Sequence, residues 1–443
     1  MGAVLATGGW MLQHAWQMRT DPLTFLVGCA AELGDVVEFP IPRQRVLFVN
    51  DPDAALRVLQ GNHRAYGKRT IQYDALSLVT GEGLLTSDGA VWRRSRRLVQ
   101  PAFHPRTLDA VGGHVAAAGE RLLADWRARP AGTVVDVDDA MMRVALEVVG
   151  AALFSTDLGP QSRRLVHAVL EALDVVVARA RSPLPLPLAV PTPGHRRLRA
   201  AVATLDATVA DLVARRRAAG AGADADLLGL LLAARDGSDA LSDRQVRDEV
   251  VTLVVAGHET VASALTWTWW LVSGAPEVAA RLAEESDRVL AGRAPTAADY
   301  PALRYARAVF DEALRLYPPA WVITRRALEA DELAGAEVPA GALVILSTYA
   351  LHRHPAVWTN PERFDPERFT DGAAVRRAYL PFGAGPRLCV GRDFALLEGT
   401  LLLAQVSGAY RLERLPGQRV RPEALVTIRP RGGLPLRLVH RHP

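Results

Sequence analysis

Between Leu108 and Gly274, apolar residues recur with the 3.6-residue helical period in one segment after another, and few breakers interrupt them. The segments are Leu108–Arg127, Asp138–Leu153, Gln161–Ala180, Gly194–Ala219, and a longer one that Leu241-Ser242 caps and that runs to about Gly274. Further helices are predicted over about Asp88–Leu98, closed by Pro101, over Pro276–Leu290, over Leu303–Tyr317 ahead of Pro318-Pro319, and over about Val390–Ser407. Strand signals are short. Val36–Phe39 and Val46–Val49 read as a hairpin, and Val322–Ala327 and Leu343–Leu346 as further strands. Asn50-Asp51-Pro52 starts a helix that runs to about Gln60. The expected class is mainly α with a small β part.

A length of 443 residues would ordinarily suggest about three domains. No composition break resembles a linker, so a single domain over residues 1–443 is expected instead. Pro183-Leu-Pro-Leu-Pro-Leu reads as a rigid connector, and Gly220–Asp226 as a small, polar loop. Net charge is +4, and with Lys68 the only lysine it is carried by arginine. No basic block stands apart from acidic residues, so no nucleic-acid partner is expected. Met1–Gln13 lacks the basic start and cleavage site of a signal peptide. It is also too short to span a bilayer, which takes roughly 20 apolar residues. With Cys29 and Cys389 the only cysteines, a disulfide framework is not expected and a reducing compartment fits. The expectation is a cytoplasmic protein without a transmembrane segment.

The densest chemistry is Pro381-Phe382-Gly383-Ala384-Gly385-Pro386-Arg387-Leu388-Cys389-Val390-Gly391, just ahead of the last predicted helix. A cysteine at a helix start meets unpaired N–H groups and the positive end of the helix dipole, and both favour thiolate. Gly383 and Gly385 permit a tight turn with positive φ. Gly391 leaves room for a flat group, and Arg387 offers a guanidinium fork to a carboxylate. Taken alone, a lone cysteine is more often a small buried hydrophobe. A dinucleotide loop is excluded, because Leu388 stands where its third glycine belongs and no strand leads in.

This stretch resembles the haem-binding loop of the cytochrome P-450 family, Phe-x-x-Gly-x-Arg-x-Cys-x-Gly, met here by Phe382, Gly385, Arg387, Cys389 and Gly391. The resemblance implies a P-450 fold with haem b between the long central helix and the cysteine-loop helix, and Cys389 as the sulfur ligand to iron. Other pieces of the chain match in the family's order. Glu312 and Arg315 resemble its Glu-x-x-Arg pair, and Arg368, from the second of two Pro-Glu-Arg-Phe segments, its third member. Trp92 and Arg96 resemble a Trp-x-x-x-Arg pattern that contacts a haem propionate. Arg325 resembles a further propionate ligand, with Arg326 beside it as the competing choice. Ala256-Gly257-His258-Glu259-Thr260 resembles the oxygen-binding groove, which implies a proton-supplying role for Thr260 and Glu259. Without the resemblance, Thr260 would be read as bonding back to its own helix and Glu259 as solvated.

The implied reaction inserts one oxygen atom of O2 into a hydrophobic small molecule such as a terpenoid, fatty acid or polyketide. Walls are expected from an Arg69–Leu85 loop, the helix near Ala256, Trp321–Ile323 and the proline-rich loop near Leu186. Electrons would come from a separate ferredoxin or flavodoxin, docked on Arg93, Arg94, Arg97 and Arg392. The alternatives are a peroxide-driven haem peroxygenase and a non-catalytic haem sensor or carrier. The Glu259-Thr260 pair disfavours both, since neither needs a proton relay.

Overall fold

Ser242 caps the longest helix, Asp243–Val272, through a capping box with Gln245. The structure, a computed structural model, describes every residue except 1–2, 105–107, 155–158, 181–185, 220–226, 234, 237–238, 371–376 and 442–443. The expected loop over residues 220–226, and residues 183–185 of the proline-rich connector, therefore lie outside the described residues. The helix Asp243–Val272 is long and apolar enough to cross a membrane, but it is the buried core helix of its own unit.

The chain divides into two units. The first gathers Met1–Thr70, Asp311–Arg392 and Arg421–Arg431. It holds a six-stranded sheet in the order Val4–Leu5, Val36–Phe39, Val46–Val49, Leu343–Leu346, Ile323–Ala327, Tyr66–Gly67. The expected hairpin is there in antiparallel register, Val36 opposite Val49 and Phe39 opposite Val46. Leu343–Leu346 joins it in parallel, which brings the late β segment onto the early one. One face of the sheet packs Leu47, Val49, Val58 and Val344, the other Phe25, Phe39 and Phe48. Pro22–Leu33, a helix the sequence reading did not assign, covers the second face with Phe25, Leu26 and Cys29.

The second unit gathers Ile71–Phe310, Asp393–Val420 and Gly432–Pro443. Its helices include Leu108–Arg127, Val137–Phe154, Gly159–Ala180 and Pro193–Ala219, each close to its predicted span. His258 anchors the long helix to Val137–Phe154 by a hydrogen bond of 3.0 Å to the Met142 carbonyl. Gly257 permits the close approach, because a Cβ there would lie 3.0 Å from Val149. Residues 71–80, expected as loop, are a helix that buries Tyr73, Leu76, Val79 and Thr80. Those positions follow helical spacing, but ten residues span fewer than three turns and gave too weak a signal.

The last long helix, Arg392–Ala409, buries Glu398 completely. Neither carboxyl oxygen accepts a hydrogen bond among the described residues. Burial pushes this carboxyl well above the ordinary carboxylate range. The unfolded chain ionises first, so folding loses stability as pH rises above about 4.3, by up to about 1.4 kcal/mol per pH unit. Glu398→Leu is expected to melt higher than the parent at pH 8 and to lose that advantage at pH 5. Thermal melts with equal differences at both pH values would show that Glu398 is not the buried acid.

Candidate active site

Within the first unit, the cysteine loop is stapled by its own backbone. Gly383 N–H donates to Leu380, Leu388 N–H to Gly385, and Cys389 N–H to Phe382, each at 3.0 Å. Gly383 and Gly385 take φ of +71° and +69°, as a turn this tight requires. A Cβ on Gly385 would lie 2.2 Å from the Leu59 carbonyl oxygen, so the loop presses on its neighbour where a side chain has no space. The following helix starts at Arg392 rather than at about Val390, so Cys389 lies just ahead of its first turn.

The two cysteines differ completely. Cys29 is buried, and burial pushes its thiol up to about 12. Cys389 is exposed. From Pro381 to Ala395 no residue is buried, including the apolar Phe382, Leu388, Val390 and Phe394. A thiol framed by unburied apolar side chains suits a flat hydrophobic ring with a metal at its centre. Arg387 is partly exposed in the same loop. On the strand Ile323–Ala327, alternation sends Arg325 and Arg326 to opposite faces. Arg325 is buried and donates to the Thr324 carbonyl at 2.8 Å. Arg326 is held outside by the Arg69 and Gly341 carbonyls.

The same unit assembles the charged triad. Arg315 and Glu312 are fully buried and pair bidentately at 2.6 and 2.7 Å. Arg368 approaches Glu312 at 3.5 Å, as the second Pro-Glu-Arg-Phe segment predicts. Arg363, from the first segment, contributes its carbonyl to Arg315 instead. Burial pushes the Glu312 carboxyl up, and Arg315, the Asp365 N–H and Arg368 oppose that. With so many donors converging, we take it as ionised at neutral pH.

Sequence reasoning missed His352. It is fully buried, and its Nδ1 faces the Arg315 carbonyl at 3.0 Å while its Nε2 accepts from Leu380 N–H at 2.8 Å. Leu380 immediately precedes the cysteine loop, so His352 links the charged triad to the loop. Nothing in a single sequence marks it among eleven histidines.

In the second unit, the long helix opens at one place. From Asp248 to Trp269, only Ala256, Gly257 and Thr260 escape burial. Their spacing puts them on one helical face. Thr260 donates to the Ala256 carbonyl at 2.5 Å, the back-bonded arrangement expected of threonine in a helix. Glu259, next in the chain, is buried rather than solvated. On Gly89–Val99, Trp92 and Arg96 share a partly exposed face, and Arg96 donates to Gln100 at 3.1 Å. Arg93 and Arg97 are exposed there. Arg94 is tied to the Ala240 carbonyl at 3.0 Å and so is less available to a partner than expected. Arg392, in the other unit, is exposed.

The donor set fits haem. Within the first unit it offers one exposed thiol on a glycine turn, with the guanidiniums of Arg325 and Arg387 for carboxylates. A model of the cytochrome P450 family matches residues 5–432. The chain belongs to the cytochrome P450 family. This P450 is accordingly a haem b protein and a monooxygenase. It is 37% identical to cyclooctatin synthase of Streptomyces melanosporofaciens over 431 residues, 96% of this chain and 93% of that one. It is 36% identical to pentalenene oxygenase of Streptomyces avermitilis over 449 residues, 100% of this chain and 97% of the other. The fold is that of P450 structures, including CYP175A1 of Thermus thermophilus. That structure has a TM-score of 0.80 and 34% identity, covering 99% of this chain and 100% of that one.

Proposed function

We propose that this P450 oxygenates a terpenoid, with residues 1–443 acting as one cytoplasmic catalytic domain fed by a separate ferredoxin or flavodoxin. The observation that carries the reading is the open face at Ala256, Gly257 and Thr260 on a helix otherwise buried around it. The substrate class is supported by the names of the two Streptomyces relatives. Bound haem supplies the site at which O2 is reduced and split, and thiolate ligation favours that cleavage.

The chain's own residues have separate tasks. Cys389 would bind iron through sulfur, with Phe382 and Gly391 beside the ring. Arg325 and Arg387 would offer charge-assisted hydrogen bonds to the propionates, and the same role is proposed for Trp92 and Arg96. Thr260 already spends its proton on Ala256, so its oxygen is oriented to accept from a water on the open face. Glu259, one residue back, would connect such a water to a source of protons. The exposed Arg93 and Arg97 form part of the surface that meets an acidic electron donor.

Two linked measurements test this. With a ferredoxin, its reductase, NADPH and labelled O2, a cyclic terpene hydrocarbon is expected to gain one labelled oxygen atom. Thr260→Ala is expected to keep the carbon monoxide spectrum while product per NADPH falls about tenfold or more and hydrogen peroxide rises. Turnover with peroxide alone, and none with NADPH and O2, would make the chain a peroxygenase. Full coupling in Thr260→Ala would remove Thr260 from the proton path.

A further inference from the structure

One turn of the long helix, Arg247-Asp248-Glu249, fastens several other elements of its unit. Asp248 and Glu249 are buried, at 5% and 1% exposure. Asp248 Oδ2 accepts the backbone N–H of Glu82, and Glu249 Oε2 that of Leu84, both at 3.0 Å. These N–H groups belong to the loop between the helices Ile71–Thr80 and Gly89–Val99. The loop lies directly on the long helix. A Cβ on Gly81 would fall 2.1 Å from Asp248 Oδ1, and one on Gly83 would fall 2.2 Å from Thr252 Oγ1.

Arg247 extends the attachment. Its Nη1 reaches the Val79 carbonyl at 2.9 Å and Asp248 at 3.0 Å, and its Nε reaches Asp206 on the helix Pro193–Ala219 at 2.6 Å. Burial pushes the Glu249 carboxyl up, against hydrogen bonds from Ser95 and from Leu84 N–H. Apolar side chains would hold a loop to a helix with no such desolvation cost. What buried carboxylates add is direction, since each fixes one chosen backbone N–H and can let it go as a unit. Thr252 lies about 6–12 Å along the helix from Ala256 and Thr260, so the fastened loop borders the open face.

We propose that Arg247, Asp248 and Glu249 form a latch. They are positioning residues that hold residues 81–87 as a wall beside the open face and tie that wall to Pro193–Ala219. A bulky ligand enters when the latch lets go, and a small one passes regardless. The inference rests on the reading of Ala256, Gly257 and Thr260 as the substrate-facing surface.

The test uses haem-loaded protein and two iron-binding probes, imidazole and the much larger clotrimazole. Asp248→Ala combined with Glu249→Ala removes the acceptors, while Asp248→Asn with Glu249→Gln keeps an oxygen in each place. In the alanine variant, clotrimazole is expected to bind about tenfold faster and to dissociate faster still, with imidazole unchanged. Amide hydrogen exchange at Glu82 and Leu84 should rise about tenfold or more, and the amide variant should restore both readouts. Arg247→Ala, at a partly exposed position, gives the same clotrimazole acceleration should the alanine pair fail to fold. Faster exchange without a change in clotrimazole kinetics would overturn the latch and leave a purely structural contact. Equal weakening of imidazole would overturn it too, as general damage. Failure of clotrimazole to bind the parent would defeat the underlying reading of the open face as well.

Discussion

Cys389→Ser yields a folded protein that has lost oxygenation by a factor on the order of a thousand or more, equivalent to at least about 4 kcal/mol of barrier. The fold survives because the side chain is exposed and packs little, while the loop is held by backbone groups that serine retains. The chemistry does not survive, because a hydroxyl oxygen is a far weaker electron donor to iron than a thiolate. The carbon monoxide spectrum of the reduced protein should lose its thiolate signature, and product formation should fall with it. Cys29→Ser is the control. That thiol is buried and its ionisation suppressed, so the substitution should cost stability and leave the spectrum alone. Parental turnover by the serine variant would remove Cys389 from the iron.

The helical middle of the chain was legible because long amphipathic segments repeat one pattern many times, so Leu108–Arg127 and Pro276–Leu290 have the spans their periodicity indicates. The hairpin at Val36–Val49 was legible because both strands are β-branched and turn residues separate them. Short elements were not. Pro22–Leu33 is apolar nearly throughout and shows little period, and Ile71–Thr80 spans fewer than three turns. The motif residues could be read because cysteine, glycine and arginine at fixed spacing have few competing uses. Residues that act through backbone groups left no trace. His352 binds a carbonyl and an N–H, and Asp248 and Glu249 bind loop amides, so their partners carry no side-chain signature. The different surroundings of Arg325 and Arg326 also needed the strand's two faces, one buried and one fastened outside.

The second large effect is expected at Arg315, where one substitution should prevent the protein from holding its fold. Its guanidinium, fully buried, gives hydrogen bonds to both oxygens of Glu312 and to the carbonyls of His352, Pro361 and Arg363. Arg315→Leu leaves the Glu312 charge buried with only Asp365 N–H and the more distant Arg368 near it. A stranded buried charge costs about 3–5 kcal/mol, and each orphaned carbonyl about 1–3 kcal/mol more. Native stabilities are only about 5–15 kcal/mol, so the sum consumes most of the margin. Lysine should not rescue, because a point charge cannot serve two carboxylate oxygens and three separate carbonyls. Glu312→Leu with Arg315→Leu should recover part of the loss, since it removes the charge and leaves only carbonyls unmet. The damage should also reach the cysteine loop. His352 stands on the Arg315 carbonyl and holds Leu380, from which the cysteine loop departs, so haem incorporation should fall with soluble yield. Acid should attack the same joint. Burial holds His352 down to about 3, so the unfolded chain takes up the proton first. The stability it lends is whole above about pH 6.5 and drains as pH falls toward 3. Denaturant unfolding of Arg315→Leu within about 1 kcal/mol of the parent, with normal haem content, would show that the buried triad does not carry the loop.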